Sequence, residues 1–477
     1  MNPLQFYAFL PFTLLAVASI VVIFLIALKQ SHTVIQVAGF LMMCLVIFAM
    51  WYVRDELPVR IDPLFVVDGY GALFTGLIVF SVLIIGLLSF IYFEDREENP
   101  KEYYILLFLS TLGAAILTIS QHFISFFLGL EILSVSLYAL IAYLRNRNNA
   151  IEAGMKYLVL AAMASAFLLF GMALIYMETG SMTFNALAKS LTSTSTGLFI
   201  TGISLMIVAI GFKLALVPFH LWAADVYQGA PAPVTAFIAT VSKIGVFAVL
   251  LRFAEAVSLQ SNSVILTIFI VIAVITMLTG NILALLQQNI KRLLAYSSIA
   301  HLGYLLVAFL PGNTSGIEAS IFYLLAYSIT ILAAFGIITL LSSRQRDAED
   351  LEWYRGLFWR NPLMATILTI TFLSLAGIPL TAGFIGKFYI LIAGVEQALW
   401  LPVIILILTS VIGLYYYLRV INLLFAETTP TLATEKSLHP FFYIGTYAAL
   451  IVLTVLLIGI GTYPGFIIEN IKSFLLI

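Results

Sequence analysis

Long apolar runs, each closed by a short polar joint, succeed one another along the whole chain. A helix needs about twenty predominantly apolar residues to cross the hydrocarbon core of a bilayer. About fourteen runs meet that requirement: 4–28, 34–53, 70–92, 103–120, 122–144, 152–177 and 197–219, then 232–252, 263–286, 292–311, 317–342, 361–396 with a break, 401–425 and 440–463. The pattern predicts an all-α polytopic membrane protein. Two of the runs are interrupted, the seventh at Pro218 in GFKLALVPFHLW and the twelfth at Gly377-Ile378-Pro379 in LAGIPLTAGFIGKFY. Proline removes a backbone donor and frees a carbonyl, and hydrocarbon tolerates this only where the break faces protein or a wet cavity. Interrupted segments at corresponding places in two halves are the mark of an inverted repeat. The reading therefore has a three-helix segment at 1–102, a first five-helix inverted repeat at 103–252, a second at 253–426, and a C-terminal helix within 427–477, each repeat with one broken helix.

Composition narrows the chemistry. The 477 residues are 62% hydrophobic and 9% charged, far from the one-quarter charged of a soluble domain. A net charge of -1 argues against nucleic acid as a partner. The one cysteine, Cys44, excludes an internal disulfide, iron–sulfur cluster or thiolate zinc site, and His32, His122, His220, His301 and His439 show no metal-ligand spacing. Electron transfer within the polypeptide is not expected. Ala16-Val17-Ala18 mimics a signal-peptidase site, but no positive charge precedes it and the apolar run continues to Leu28, so it reads as the first span. Joints after odd-numbered spans hold most of the basic residues, among them Lys29, Arg96, Arg145, Arg147, Lys291, Arg292 and Lys436; those after even-numbered spans hold few, such as Arg54, Lys189 and Arg252. The acids Glu94, Asp95, Glu97 and Glu98 dilute one odd joint without counting in the rule, which puts the odd joints in the cytoplasm and both termini outside.

The candidate chemistry lies in ionisable residues within the spans. Glu131, in FFLGLEILSVSLYAL, is the one acid deep in an apolar run; it is either functional or a structural group bonded by Ser134. Lys156 lies a turn or two inside the sixth span and has the option of snorkelling. Lys213, Lys243 and Lys387 sit too deep for that, and a buried amine in hydrocarbon points to ion or proton handling. The break at Pro218 is expected to leave free carbonyls that solvate Lys213. His220 and His301 are either proton relays or satisfied core groups. Tyr296, Ser297, Ser298 and His301 put enough polar groups on one helix to order a water chain, or to serve helix packing. Gly459-Ile-Gly-Thr-Tyr-Pro-Gly465 resembles a dinucleotide loop in letters only and reads as a terminator. Two charges 4 Å apart interact by about 4 kcal/mol at an effective dielectric of 20, and driving one proton against 150 mV needs about 3.5 kcal/mol, so a row of charges such as Glu131, Lys156 and Lys213 is on the scale of a pump element if something outside the chain moves it.

GFKLALVPFHLW…DVYQGAPAPV, NIKRLLAYSSIAHLGYLL and LAGIPLTAGFIGKFY together resemble the antiporter-like membrane subunits of respiratory complex I, the NADH–quinone oxidoreductase, over essentially the whole chain. The resemblance implies fourteen spans and proton translocation, with NADH, FMN, iron–sulfur clusters and quinone bound in partner subunits and no cofactor in this chain. It implies neighbours in the bilayer, an antiporter-like subunit M and small subunits J and K, and a bacterial inner membrane. Position by position, it makes Glu131 the essential glutamate of the fifth span and Lys156 and Lys213 the lysines of the sixth and broken seventh. Lys243 becomes a connecting lysine with His301 on the neighbouring half-channel, and Lys387 the lysine of the broken twelfth span. The chain departs from the family at Ala223-Ala224, where Thr-Pro is common, which bears on the rigidity of the following turn. A subunit of a multisubunit sodium/proton antiporter or membrane-bound hydrogenase is the alternative, and a scaffold with vestigial charges a third reading.

Overall fold

In the computed structural model, residues 2–94, 96, 100–190, 197–344, 346–427 and 440–476 are described; Asp95, Glu97, Glu98, Lys436 and His439 lie outside them. Every anticipated span is a helix. The first three are α1 (Pro3–Ala27), α2 (His32–Val53) and α3 (Gly69–Glu94), with a short antiparallel hairpin, β1 (Val59–Ile61) and β2 (Phe65–Val67), between α2 and α3. Then come α4 (Tyr103–Ile119), α5 (Phe123–Ile141), α6 (Asn148–Thr179), the short α7 (Phe184–Ser190), and α8 (Gly197–Leu214) with its continuation α9 (Leu221–Gly229). The eighth span is α10 (Ala232–Ala239) and α11 (Val241–Ala256), followed by α12 (Ser263–Leu285), α13 (Ile290–Phe309) and α14 (Thr314–Leu341). A single turn, α15 (Leu357–Arg360), precedes the broken twelfth span, α16 (Pro362–Ala376) and α17 (Ala382–Glu396). The series closes with α18 (Trp400–Phe425), α19 (Pro440–Thr462) and α20 (Pro464–Leu476).

Burial separates the helices by role. The span Ala232–Ala256 is wholly buried, and α13 and α14 nearly so, whereas α1, α6 and α12 turn most of their apolar surface outward. A helix apolar on every side is either buried in protein or faces lipid, and the bundle has both kinds. Glycine makes the close approaches possible: a Cβ at Gly113 would meet Leu133 N at 2.4 Å, so α4 and α5 touch backbone to backbone. The hairpin, two helices and a kink are not announced by the sequence pattern. Helix α7 is too short, and α20 too polar on one face, to stand out as a span. The eighth span kinks at Thr240 (φ -120°, ψ -78°), whose hydroxyl bonds back to Ala236 O at 2.7 Å, a known way for threonine to bend a helix without proline.

Candidate functional site

The first break begins one residue after Lys213. Helix α8 stops at Leu214, Ala215 turns into the left-handed region (φ 58°), and Leu216 N donates to Gly211 O at 2.8 Å to close the end. The freed groups find protein partners. Trp222 Nε1 donates to Phe212 O (2.9 Å), and Val217 N donates to Thr276 Oγ1 of α12 (3.0 Å). The expected solvation of Lys213 by these carbonyls is therefore not what the chain does. Lys213, 3% exposed, donates instead to the Ser134 hydroxyl of α5 at 2.6 Å, with the Tyr157 ring 5.3 Å away. Glu131, one turn earlier on α5, accepts from Ser165 of α6 and acts on Lys213 through its charge.

The second break is built the other way round. Helix α16 ends at Gly377, left-handed at φ 81°, whose N–H donates to Leu373 O and Ser374 O at 3.0 Å. Lys387 lies beyond the break on α17 and reaches back to the exposed helix end, donating to Leu375 O (3.0 Å) and Ala376 O (3.1 Å). A cation at a helix C-terminus also meets the negative end of the helix dipole. Glycine is required here twice over. A Cβ at Gly377 would lie 2.9 Å from Lys387 Cδ, and one at Gly383 would lie 1.9 Å from Ser374 O.

Between the two breaks α13 carries the polar core. Lys243, 1% exposed, donates to Ser298, which also bonds Tyr327 of α14 and, at 3.3 Å, Tyr227 of α9. One turn on, His301 is bonded through Nδ1 to Tyr323 (2.6 Å) and through Nε2 to Tyr417 (3.1 Å), and Tyr417 bonds Ser297. His301 lies within the fields of both Lys243 and Lys387. Tyr296 falls on another face of α13 and packs half-buried against apolar neighbours. The structure thus brings Glu131, Lys213, Lys243, His301 and Lys387 into one interior, with a hydroxyl bonded to each of them but Lys387. Sequence reasoning missed Ser165, Tyr227, Tyr323, Tyr327 and Tyr417, because a tyrosine in an apolar run reads as packing.

Two predicted residues stand apart. The Lys156 side chain, 43% exposed, bridges Glu152 and Asp225 at 2.7 Å each, away from Glu131 and Lys213. Asp225 is also held by Arg292 (2.7 Å), so α9 is a tied, regular helix despite Ala223-Ala224. His220 is 8% exposed in the first break, and its Nδ1 has no hydrogen-bond partner among the described residues. At the same end of the bundle, Asp347 is buried among Tyr92, Lys291, Arg147 and Arg96. Burial alone would push its carboxyl up, but Lys291 and Arg96, the Tyr92 hydrogen bond and Arg147 together hold it down at about 2.

Residues 120–413 match the family model described as NADH:quinone oxidoreductase/Mrp antiporter, TM, which spans both breaks and all five interior groups. The chain is 43% identical to NADH-quinone oxidoreductase subunit N of Ectopseudomonas mendocina over 98% of its own length and 96% of the relative's. Among solved structures it superimposes on a chain of respiratory complex I from Thermus thermophilus with TM-score 0.83 and 31% identity, covering 96% of this chain and 98% of that one. It also superimposes on a chain of the membrane-bound sulfane sulfur reductase, an archaeal respiratory membrane complex, with TM-score 0.84 and 27% identity over 98% and 96% of the two chains. The chain belongs to the NADH:quinone oxidoreductase/Mrp antiporter family of membrane subunits.

Proposed function

We propose that this chain is the proton-translocating membrane subunit of an NADH–quinone oxidoreductase, equivalent to the subunit N for which its relatives are named. The observation that carries the reading is the row of buried lysines, each amine within hydrogen-bond reach of a hydroxyl or a carbonyl, between two broken helices. A hydroxyl both donates and accepts, so Ser298 can serve an ammonium and a neutral amine alike, and Ser134 can do so by turning its proton from Leu130 O to the amine. Such a partner lets a lysine take up and release a proton without being left unsatisfied in either state. Neighbouring charges then bias one another by a few kcal/mol, the scale of the work done against the membrane potential.

In this reading Glu131 sets the charge beside Lys213, Lys243 passes protons toward His301 through Ser298 and the tyrosines, and Lys387 holds the far end. Lys156 sits at the mouth, bridged to Glu152 and Asp225, and His220, whose Nδ1 has no partner among the described residues, serves the first break. The two five-helix units, 103–252 and 253–426, form inverted repeats around these breaks. NADH, FMN, iron–sulfur clusters and quinone belong to partner subunits, with antiporter-like subunit M and small subunits J and K as neighbours. The protein would sit in a bacterial inner membrane with both termini in the periplasm. A sodium/proton antiporter or hydrogenase subunit is the second reading, favoured only by the breadth of the family model, and flavin and iron–sulfur partners in the purified complex decide against an antiporter.

The test is Glu131→Gln. Proton uptake into vesicles, normalised to assembled complex, should fall on the order of tenfold, the effect of losing an interaction worth about 1.4 kcal/mol, with Glu131→Asp milder because the charge is kept. Full pumping by the glutamine variant would reduce Glu131 to a structural partner of Ser165.

A further inference from the structure

The ion cluster around Asp347 takes no part in the row of amines but is tied to it. Asp347 lies in the connection after α14, and the backbone there is fixed. Ile290 N donates to Glu349 O (2.7 Å), Leu351 N to Gln288 O (3.1 Å), and Asn289 Nδ2 to Glu349 Oε2 (2.8 Å). Asp347 Oδ1 accepts from Tyr92 of α3 (2.6 Å) and from Arg147 (3.2 Å), and lies 3.6 Å from Arg96 Nη2. Its Oδ2 accepts from Lys291 Nζ at 2.9 Å. Lys291 is wholly buried and donates twice more, to Gln228 O (2.9 Å) and Ala230 O (2.6 Å). An ammonium has three protons, and these three acceptors use them all.

Gln228 and Ala230 end α9 and lead into α10. Helix α9 carries Tyr227, and the span beginning with α10 carries Lys243; both meet Ser298 of α13. Lys291 is on that same helix, two turns and about 10 Å from Ser298. The joint between α9 and α10 is therefore fastened to α13 at two levels, by Lys291 at its base and by Ser298 deeper in. Removing the carboxylate would take away the third acceptor and the counter-charge of the buried Lys291 ammonium, which would then be free to tilt on the two carbonyls that remain. An uncompensated buried charge is among the costliest defects in a packed interior.

We propose that Asp347 is a positioning residue for proton transfer: through Lys291 it fixes the α9–α10 joint against α13 and so sets the contact between Lys243 and Ser298. It touches no proton on the path itself. An inert ionic tie would hold the helices together and leave the Lys243 contact indifferent to its identity. A positioning residue makes that contact depend on where the ammonium points.

The experiment uses the intact complex in vesicles, reading proton uptake per NADH oxidised and normalising to assembled complex. Asp347→Asn keeps the shape and an acceptor for Tyr92 but removes the charge, and uptake should fall on the order of tenfold, short of the roughly 10²-fold that a full 1 Å misplacement can cost. Asp347→Glu should restore most of it. Lys291→Arg keeps the charge, yet a planar fork does not match three convergent acceptors, so it should lose uptake comparably. Combined with Tyr227→Phe, which acts at the same Ser298 contact, Asp347→Asn should add less than its separate effect; effects that simply multiply would make it an inert tie and overturn the proposal. If Asp347→Asn does not assemble, Lys291→Arg decides, and native uptake by that variant overturns the positioning role. The inference rests on the proton-translocating reading, which Lys243→Ala checks separately: native uptake there fails that reading, whereas its loss alongside native uptake in Asp347→Asn and Lys291→Arg fails the positioning role alone.

Discussion

The two broken helices solve the same problem with different atoms. At the first, the lysine precedes the break, the freed backbone groups are capped by Trp222 and Thr276, and the amine is left with a single serine hydroxyl. At the second, the lysine follows the break and is cradled by the very carbonyls the break exposes, at Leu375 and Ala376. Two fixed carbonyls accept only, so they reward a charged amine with charge-assisted hydrogen bonds. A hydroxyl accepts from an ammonium and donates to a neutral amine. The first site gives the amine a partner that can accept or donate, the second only acceptors for its protons. The turns differ too: the second break passes through two left-handed residues, Gly377 and Leu380, the first through one, Ala215.

The contrast is open to attack by mutation. Ser134→Ala removes the one hydroxyl on Lys213 among the described residues, and leaving a buried polar group without a partner costs about 1–3 kcal/mol. Proton uptake should fall on the order of tenfold by the same arithmetic. At the second break no side-chain deletion can do this, because the acceptors are main chain. Indifference of pumping to Ser134→Ala would erase the distinction. Gly377→Ala tests the second break instead, forcing a methyl against Lys387 Cδ at a left-handed residue. Strain there costs about 1–2 kcal/mol, and both the thermal midpoint of the complex and its pumping should drop.

A third test uses pH, since the first break leads into the Asp347 cluster. A carboxyl held at about 2, below its ordinary 3.8, stabilises the fold above the ordinary value and loses that contribution as pH falls through about 2. It amounts to about 2 kcal/mol at neutral pH by the usual conversion. The stability difference between the native chain and Asp347→Asn should be constant above about pH 5 and shrink below about pH 4. A difference that instead changes between pH 6 and 8 would show that another group is being read.

Much of this was legible in the sequence because the bilayer imposes so strict a rule. Fourteen apolar runs became helices, and both breaks fell where proline or Gly-Ile-Pro interrupts a run. Lys213, Lys243 and Lys387 stood out because charge is rare at that depth, and they are buried as expected. Lys156 was legible only in part: its place in the sixth span put it near Glu131, but the side chain turns outward to Asp225, 69 residues away in the chain. The kink at Thr240 carries no glycine or proline to announce it. The tyrosines around Ser298 and His301, and the burial of Lys291, depend on which helix faces become neighbours, and hydropathy does not encode that.

The central claim is that Lys213 changes protonation during turnover, and arginine tests it most directly. Arginine keeps the positive charge but does not release a proton in a protein interior. Proton uptake into vesicles, normalised to assembled complex, should be nearly as low for Lys213→Arg as for Lys213→Ala. Near-native uptake by the arginine variant would mean that Lys213 is a fixed charge and that the proton passes elsewhere.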